Sequence, residues 1–554
     1  MFEEYTGVYI DTLGARKPIT PRPMKIMSIR LFMGRERSKV ISEIIQQYTL
    51  SSCRINQRIS SRLSCHNHQG KVSFIAAQGP MEGTKDDFWR MVWKEDVETI
   101  VTLVDKDGTE QHSKDAQYWP NEVNRSQKYG AITVFLMETT VFRSYILREM
   151  NVIKGNEKVL TSVRQYEIPC WKYGGVPSEP ADLISVIKQI KNHQNGGKHL
   201  LVHCSNGVGA TGVFISLYDL MDVIKTKKEV SVFDVIEGMR KDRVNMVLTK
   251  LQYLFIFDAL LEAMLSPDSQ MSCDQLNKLD LSAMKKKCKK EFQILQETTK
   301  HQEDLATLAG NSSENNHKNR FPDLLPVDKF RPVLKSPGKL FGSNDYINAT
   351  FAKDITQRGF IMTQSPLAST VEDVWRLVFD YDCTSIVMLN TVDDSDESLT
   401  VYWPNVHNAA TSNGLMTVIC KKIEESDVFT RRQFEVKHKR SQKSLLVDHF
   451  SFHGWHGNKP DVHKLREFIK YTRTKGTGPA LVHCINGVGL SAVYVTVISE
   501  LERIEKEGAV DVFQTLNKLR KQCPKAVQTQ DEYLLCYELL RDHLNNPEEY
   551  AVVF

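Results

Sequence analysis

Two cysteines lie in nearly identical glycine-rich segments of the chain. Cys204 lies within Val-His-Cys-Ser-Asn-Gly-Val-Gly, and Cys484 lies within Val-His-Cys-Ile-Asn-Gly-Val-Gly, 280 positions later. Each segment follows a short apolar run and precedes an amphipathic one, which predicts a strand, a turn and the start of a helix. Backbone N–H groups at such a helix start can cradle an anion, and the same field favours a thiolate. The sequence therefore predicts two cysteine loops suited to anion chemistry.

The residue after each loop is apolar, which weakens that chemistry. Ala210 follows the first loop and Leu490 follows the second. A site that grips phosphate would be expected to carry arginine here, because its planar guanidinium fork gives two charge-assisted hydrogen bonds. The side chains of Asn206 and Asn486 are expected to cap their own loops through local hydrogen bonds.

The similarity between the two loops extends over the flanking sequence. Three further motifs recur with offsets of 286, 286 and 284 residues, and a lone tryptophan recurs with an offset of 284. These pairs are Gln78-Gly79-Pro80 with Gln364-Ser365-Pro366, Asp87-Phe88-Trp89-Arg90 with Asp373-Val374-Trp375-Arg376, Tyr118-Trp119-Pro120 with Tyr402-Trp403-Pro404, and Trp171 with Trp455. A period this long indicates a duplicated domain rather than a solenoid.

Length and composition agree with two soluble domains of about 250 residues each. We expect a first domain over 1–265 with a divergent start over 1–65, a helical linker and the start of the second domain over 266–316, and the second domain over 317–554. The net charge of +4 gives no support to nucleic-acid binding, and the 11 cysteines, an odd number without paired spacing, favour a reducing compartment. No secretory signal and no run of about 18 apolar residues is visible, so no membrane segment is predicted in this chain.

The elements that must position the loops alternate between strands and helices. Periodicity predicts strands over 99–104, 132–137, 142–150 and 200–203, and helices over 41–48, 86–94, 180–193, 211–224, 233–239 and 250–264. Residues 276–299 are predicted as one helix and 310–316 as a loop. The basic run Lys285-Lys286-Lys287-Cys288-Lys289-Lys290 favours a solvated helix face over a localisation signal.

Together, these motifs resemble the tandem intracellular region of a receptor-type protein tyrosine phosphatase, over about residues 70–265 and 275–554. In the second copy, His317-Lys318-Asn319-Arg320-Phe321 and Asp345-Tyr346-Ile347-Asn348-Ala349 are similar to the family's phosphotyrosine loop and the strand after it. The resemblance implies an α/β fold with two tandem domains, each a twisted mixed sheet flanked by helices. It also implies a cytoplasmic location, with the chain as the intracellular part of a membrane receptor, and neither a metal nor a cofactor.

The resemblance also implies a mechanism. In the family, a cysteine thiolate attacks phosphotyrosine, an arginine grips the phosphate, and an aspartate on a tryptophan loop protonates the leaving oxygen. A glutamine then positions water, and an aromatic ring lines a deep pocket. The phosphate-loop positions correspond here to Ser205, Asn206, Gly207, Val208, Gly209 and Thr211, and to Ile485, Asn486, Gly487, Val488, Gly489 and Ser491.

Several catalytic positions carry other residue types. Cys204 and Cys484 hold the nucleophile positions, Ala210 and Leu490 the arginine positions, and Tyr173 and Gly457 the general-acid positions. Gln528 matches the water-positioning glutamine, whereas the first copy has Leu248 there. The pocket residues expected from the resemblance are Phe321, Trp171, Trp455 and Gln252, although packing is an alternative role for both tryptophans.

These substitutions lead to three hypotheses. Loss of the arginine and of the general acid is expected to slow turnover by about 10⁴–10⁷. The first hypothesis is therefore a pseudophosphatase that binds phosphotyrosine proteins or other signalling proteins. The second is residual phosphotyrosine hydrolysis through Cys204, with Lys172 and Tyr173 as substitute groups. The third is a purely structural scaffold that dimerises or pairs with an active phosphatase.

Overall fold

The computed structural model of the chain describes residues 65–66, 73–105, 116–155, 157, 160–171, 174–194, 198–226, 230–300, 305–336, 338, 344–353, 355–356, 358–391, 399–441, 443–456, 459–476 and 478–546. The chain divides into two compact units, with the boundary between Leu265 and Ser266. The predicted helix over 41–48 and nearly all of the divergent start over 1–65 lie outside the described residues.

The first unit contains a mixed sheet with the order β1-β2-β8-β3-β7-β6-β5-β4. Its strands are β1 (Cys65–His66), β2 (Ser73–Gln78), β3 (Thr99–Asp105), β4 (Arg125–Tyr129), β5 (Ile132–Val141), β6 (Ile146–Lys154), β7 (Thr161–Trp171) and β8 (His199–Cys204). Strands β2, β8, β3 and β7 are parallel, and β7 to β4 form an antiparallel meander. The cysteine strand β8 therefore lies inside the parallel half.

Helices cover the two faces of this sheet. They are α1 (Lys85–Lys94), α2 (Pro180–His193), α3 (Gly209–Thr226), α4 (Val232–Asp242) and α5 (Lys250–Leu265). The apolar faces of α2 to α5 form one core with Val202 and Cys204, whereas α1 packs with the meander in a second core around Trp89 and Val134. The five predicted helices of this unit that fall on described residues all form, with ends shifted by three residues at most.

The second unit repeats the arrangement with the sheet order β10-β11-β19-β12-β16-β15-β14-β13. These strands are β10 (Ala349–Ala352), β11 (Phe360–Gln364), β12 (Ser385–Met388), β13 (Ala410–Asn413), β14 (Met416–Glu425), β15 (Phe429–His438), β16 (Ser444–Phe452) and β19 (Ala480–Cys484). Two small sheets pair β17 (Trp455–His456) with β18 (Lys459–Pro460), and β20 (Ala509–Val510) with β9 (Met271–Ser272). The predicted fold of two tandem α/β units, each a mixed sheet flanked by helices, is confirmed.

The helices of the second unit include the segment between the two repeats. They are α6 (Cys273–Lys278), α7 (Leu281–Lys300), α8 (Leu308–Asn311), α9 (Val371–Asp380), α10 (Val462–Thr472), α11 (Leu490–Glu507), α12 (Val512–Arg520) and α13 (Gln530–Asn545). Buried residues of α6 and α7, among them Leu276, Met284 and Phe292, belong to the main core of this unit. Lys285, Lys286, Lys289 and Lys290 are exposed, as predicted for a solvated helix face.

Two element predictions between the repeats are wrong. The single helix over 276–299 is two helices, because Ser272 caps α6 in a capping box with Gln275, and Asp280 accepts a hydrogen bond from the N–H of Ala283 at 2.9 Å. The predicted loop over 310–316 is helical, with α8 followed by a 3-10 helix over Ser313–Lys318. Among the described residues, no helix is long and apolar enough to span a membrane.

Candidate functional site

The first cysteine loop lies at the carboxyl end of the parallel strands. Cys204 ends β8, pairs in register with Gln78 of β2, and is separated from the first residue of α3 by four residues. This edge of an α/β sheet is where ligands usually bind, since the loops there are free to meet around a small molecule. Cys484 occupies the same place at the end of β19, in register with Gln364.

Glycine is required at the turn of each loop. Gly207 has φ +66° and Gly487 has φ +77°, a region that favours glycine. A side chain on Gly207 would also overlap the carbonyl group of Ala77, and one on Gly487 would come within 2.5 Å of the backbone nitrogen of Gln364. Both loops therefore lie directly against the end of the neighbouring strand.

The Asn206 side chain occupies the centre of the first loop. Its Oδ1 accepts hydrogen bonds from the backbone N–H groups of Val208 at 3.0 Å and Gly209 at 3.3 Å. We name these two N–H groups the first cradle. The Cys204 thiol donates to the same oxygen at 3.4 Å. The expected local cap thus forms, and it uses the amides that were predicted to hold an anion.

Asn486 does the same in the second loop. Its Oδ1 accepts hydrogen bonds from the N–H groups of Val488 at 3.0 Å and Gly489 at 2.9 Å, and from the Cys484 thiol at 3.2 Å. We name the two N–H groups the second cradle. Its Nδ2 also donates to Gln528 Oε1 at 2.6 Å. Gln528 therefore contacts the side chain of Asn486, and the water-positioning role implied for it stays a prediction.

The two cysteines differ in their hydroxyl neighbours. Thr211 Oγ1 donates to Cys204 Sγ at 3.1 Å. Ser491 holds the matching position and is fully buried, but its Oγ has no hydrogen-bond partner among the described residues. A buried hydroxyl without a partner loses its hydration and gains nothing in return.

This difference predicts opposite effects of removing the two hydroxyls. Thr211→Val is expected to lower the free energy of unfolding of the first unit by about 1 kcal/mol, because it removes a buried hydrogen bond. Ser491→Ala is expected to leave the second unit unchanged or slightly more stable, and it serves as the matched control. Amide hydrogen exchange of peptides from each unit measures both values. Equal losses in the two variants would contradict the assignment.

Both arginine positions are apolar in structure as well as in sequence. Ala210 is buried in the core of the first unit, with 8% exposure. Leu490 is half-buried and lines an apolar recess of the second unit together with Leu389, Phe452, Trp455, Pro460, Leu465, Ile469, Val493 and Tyr494. The place of the expected guanidinium therefore holds a methyl group in one unit and a branched alkyl group in the other.

Both tryptophans pack against an aromatic side chain of their own unit. Trp171 is buried in the first core and packs edge-on against Phe255 at 6.2 Å, and Trp455 packs against Phe452 at 6.3 Å. Their indole Nε1 atoms have no hydrogen-bond partner among the described residues. The general-acid positions Tyr173 and Gly457, and the substitute cation Lys172, lie outside the described residues.

Gln252 lies against Gly209 of the first loop and is hydrogen-bonded within the first unit. It is buried, its Oε1 accepts from the N–H of Leu248 at 2.9 Å, and its Nε2 donates to the carbonyl of Gly175 at 3.2 Å. Thr249 Oγ1 donates to the carbonyl of Gly174 at 3.2 Å. These bonds tie the tryptophan loop to the start of α5, and they differ from the ligand-facing role expected for Gln252.

The second unit carries a carboxylate where the first has Gln252. Glu532 Oε2 accepts from the N–H groups of Gln528 at 2.7 Å and Thr529 at 3.2 Å, and its Oε1 lies directly against Gly489 of the second cradle. Burial raises the pKa of Glu532 above its ordinary value, while the two backbone bonds oppose that change. An acidic group at this place disfavours a second anion in the loop.

Comparison with known proteins decides the family. The family profile described as protein-tyrosine phosphatase matches residues 60–262 and 315–542, one match in each unit. The chain belongs to the protein-tyrosine phosphatase family. It is similar to receptor-type tyrosine-protein phosphatase alpha of Homo sapiens, with 33% identity over 88% of this chain, and to receptor-type tyrosine-protein phosphatase epsilon of Mus musculus, with 34% identity over 87%.

The relatives are longer than this chain. The match covers 62% of the human alpha protein and 72% of the mouse epsilon protein. It covers 32% of receptor-type tyrosine-protein phosphatase S of Gallus gallus, which is 33% identical over 86% of this chain. The tandem arrangement and the receptor-type relatives agree with the resemblance read from the motifs.

This phosphatase fold supports each cysteine loop through a buried histidine. His203 Nε2 is hydrogen-bonded to Tyr118 Oη at 2.8 Å and to Thr102 Oγ1 at 3.0 Å. Burial lowers the pKa of His203 to about 3, so the ring is neutral. In the sequence Tyr118 is marked only by its place in a repeated motif. It is buried, and its hydroxyl also fixes the residue next to Cys204, a contact between distant parts of the chain.

The second unit extends the same network. Tyr402 Oη is hydrogen-bonded to His483 Nε2 at 2.7 Å and to His449 Nε2 at 2.9 Å. Burial, together with the nearby Arg320, lowers the pKa of His483 to about 3. In the first unit Gln165 takes the corresponding role and donates to Tyr118 Oη at 2.7 Å.

Sequence reasoning also missed Arg243, a cation behind the first loop. Its Nε donates to the carbonyl of Gly207 at 2.9 Å, and its Nη2 donates to the carbonyl of Asn206 at 3.3 Å. Arg240 lies three residues before Arg243, and it makes the same pair of backbone bonds as Arg520 in the second unit. Three residues after Arg520, however, the second unit has Cys523 instead of an arginine. Comparing these two helices would have shown that only the first loop has this cation.

The phosphotyrosine-loop segment of the second unit is held beside its cysteine loop. The backbone N–H of Arg320 donates to Gln364 Oε1 at 2.9 Å, and Gln364 Nε2 donates to the carbonyl of Lys318 at 2.8 Å. Phe321 follows this anchor and is half-buried. Among the described residues, no cluster of histidine, cysteine and acidic side chains could hold a metal ion.

Proposed function

We propose that the chain is a pseudophosphatase of the tyrosine-phosphatase family, which acts in signalling by binding partner proteins rather than by hydrolysing phosphotyrosine. The observation that carries the proposal is the absence of a guanidinium at both arginine positions, where Ala210 is buried and Leu490 packs in an apolar recess. Losing one donor aimed at developing charge costs about 2.7–4 kcal/mol of transition-state stabilisation, and this arginine would supply two.

The filled cradles support the same conclusion. In both units an asparagine oxygen takes the N–H groups that a phosphate would need, and in the second unit Glu532 adds a carboxylate beside them. Of the two binding roles expected from the sequence, these contacts favour partner proteins over phosphotyrosine. The partner classes we propose are signalling proteins, a second copy of the chain, or an active phosphatase.

A cytoplasmic location is part of the proposal. It rests on the receptor-type relatives and on the match of both units to the phosphatase family. Fractionation of cells that express the full natural protein would test it, and recovery from the secreted fraction would contradict it.

Residual hydrolysis through Cys204 is the second candidate function. Thr211 donates to Cys204 Sγ at 3.1 Å, and Arg243 places a positive charge behind the same loop. These contacts favour Cys204 over Cys484 as the place of any remaining turnover.

Hydrolysis of an aryl phosphate separates the two candidates. The purified chain is expected to release phosphate no faster than Cys204→Ser, because the substitution removes the nucleophile and leaves the loop in place. Cys484→Ser is the matched control in the other unit. If the chain releases phosphate at the rate of an active relative, and if this activity is lost in Cys204→Ser but retained in Cys484→Ser, the chain is an enzyme and the proposal is wrong.

A further inference from the structure

We propose that Asn206 and Asn486 are internal ligands that exclude oxyanions, and that removing Asn206 alone converts the first loop into an oxyanion-binding site. This inference deepens the proposed function, since it says why the cysteine loops are closed to phosphate and which one can be opened. Its chemistry concerns tetrahedral dianions such as phosphate and tungstate.

The two asparagines repeat one geometry in loops that differ at neighbouring positions. Each Oδ1 accepts two backbone N–H groups, at 3.0 and 3.3 Å in the first cradle and at 3.0 and 2.9 Å in the second, and also accepts the cysteine thiol. A bound oxyanion would require the same N–H groups. An amide oxygen already placed there competes without any loss of translational freedom, so it outcompetes a free ion.

The surroundings of the first cradle suit an anion once Asn206 is shortened. Ala210 projects only a methyl group beside the loop, and Gln252, which lies against Gly209, is neutral. Arg243 donates to two carbonyls of the loop at 2.9 and 3.3 Å, which keeps a guanidinium next to it. The first loop therefore retains space, free amides and a nearby cation.

The second cradle has the same two N–H groups but different neighbours. Leu490 is a larger apolar group than Ala210, Glu532 places a carboxylate against Gly489, and Cys523 stands where the first unit has Arg243. Gln528 also holds Asn486 through a 2.6 Å hydrogen bond, whereas Leu248 in the first unit has no group to do so. Shortening Asn486 should therefore leave a loop that still repels a dianion.

The test uses the full chain, tungstate as the probe, and Asn486→Ala as the matched control. Asn206→Ala is expected to bind tungstate at least about tenfold more tightly than the unsubstituted chain in calorimetric titration, because it frees two donors. Asn486→Ala is expected to bind like the unsubstituted chain. Tungstate should also slow alkylation of Cys204, but not of Cys484, in Asn206→Ala, as measured by peptide mass spectrometry.

Several results would overturn the inference. One is an Asn206→Ala protein that melts cooperatively and yet binds tungstate no better than the unsubstituted chain. Equal gains in the two variants, or tight binding at Cys204 before any substitution, would also refute it. If Asn206→Ala fails to fold, Asn206→Gly, which also lacks a side-chain acceptor, provides the same comparison. Aryl phosphate hydrolysis by the unsubstituted chain is measured separately, so turnover would sink the proposed function without bearing on the tungstate result.

Discussion

Replacing Asp373 with alanine is expected to destabilise the second unit by about 3–5 kcal/mol, because it leaves two buried cations without an anion. Asp373 lies between Lys318, whose Nζ is 2.9 Å from Oδ2, and Arg376, whose Nη1 is 2.7 Å from Oδ1. All three side chains are at most 5% exposed. Lys318 belongs to the phosphotyrosine-loop segment, so the variant should also loosen the chain beside Cys484.

The first unit offers a matched control for this ion network. Asp87 pairs with Arg90 at the equivalent place in the repeat, but these side chains are 41% and 77% exposed. An exposed pair contributes about 0–1 kcal/mol, so Asp87→Ala should have little effect. Amide hydrogen exchange of peptides from each unit gives the two free energies of opening. A loss below 1 kcal/mol in Asp373→Ala would show that the network is not stabilising in this way.

Local sequence was enough where an element carries its own signals. Helix α2 (Pro180–His193) begins and ends at the predicted residues, since Pro180 opens it and its buried face recurs with helical spacing. The loop prediction over 310–316 failed because α8 depends on a distant side chain. Asp328 accepts the N–H groups of Leu308 at 2.7 Å and Ala309 at 3.0 Å, and no window around 310 contains that cap.

In the candidate site, too, the sequence predicted features that depend on neighbouring residues and missed those that depend on residues distant in the chain. The cysteine loops, the missing arginine and the capping asparagines could be read from short segments. The use of Gln252 and Gln528 could not, because their partners, Gly175 and Asn486, lie 77 and 42 residues away in sequence. Both glutamines match the family pattern, and both are hydrogen-bonded to other residues of their own unit. A matching residue type therefore did not establish a catalytic role at either position.

The two loops have different surroundings. Both fill their cradles with asparagine, but only the second adds a carboxylate at Glu532 and an alkyl group at Leu490. The first keeps Arg243 and the Thr211–Cys204 contact. If either unit of this chain retains a use for anions, the first unit has the electrostatics for it.

Acid is expected to destabilise the first unit by about 3 kcal/mol through His203 alone as the pH falls from 6.5 to 4. The pKa of His203 is about 3 in the folded protein and near 6.5 when unfolded, because burial removes its hydration. Between about pH 6.5 and 4, His203 binds a proton in the unfolded chain but stays neutral in the folded protein. The free energy of unfolding is therefore unaffected by the titration of His203 above about pH 6.5, and it falls by about 1.4 kcal/mol per pH unit below that.

The first unit gives the cleaner measurement of this effect. In the second, His483 and His449 act in the same direction, but burial raises the pKa of Asp511 to about 6, so its proton uptake stabilises the folded state between about pH 6 and 4. His203→Gln should lower stability at pH 7 and flatten the pH dependence of hydrogen exchange in first-unit peptides. Second-unit peptides of the same variant should keep their pH dependence. If His203→Gln leaves this pH dependence unchanged, the pKa of His203 does not differ between the folded and the unfolded chain, and the prediction is wrong.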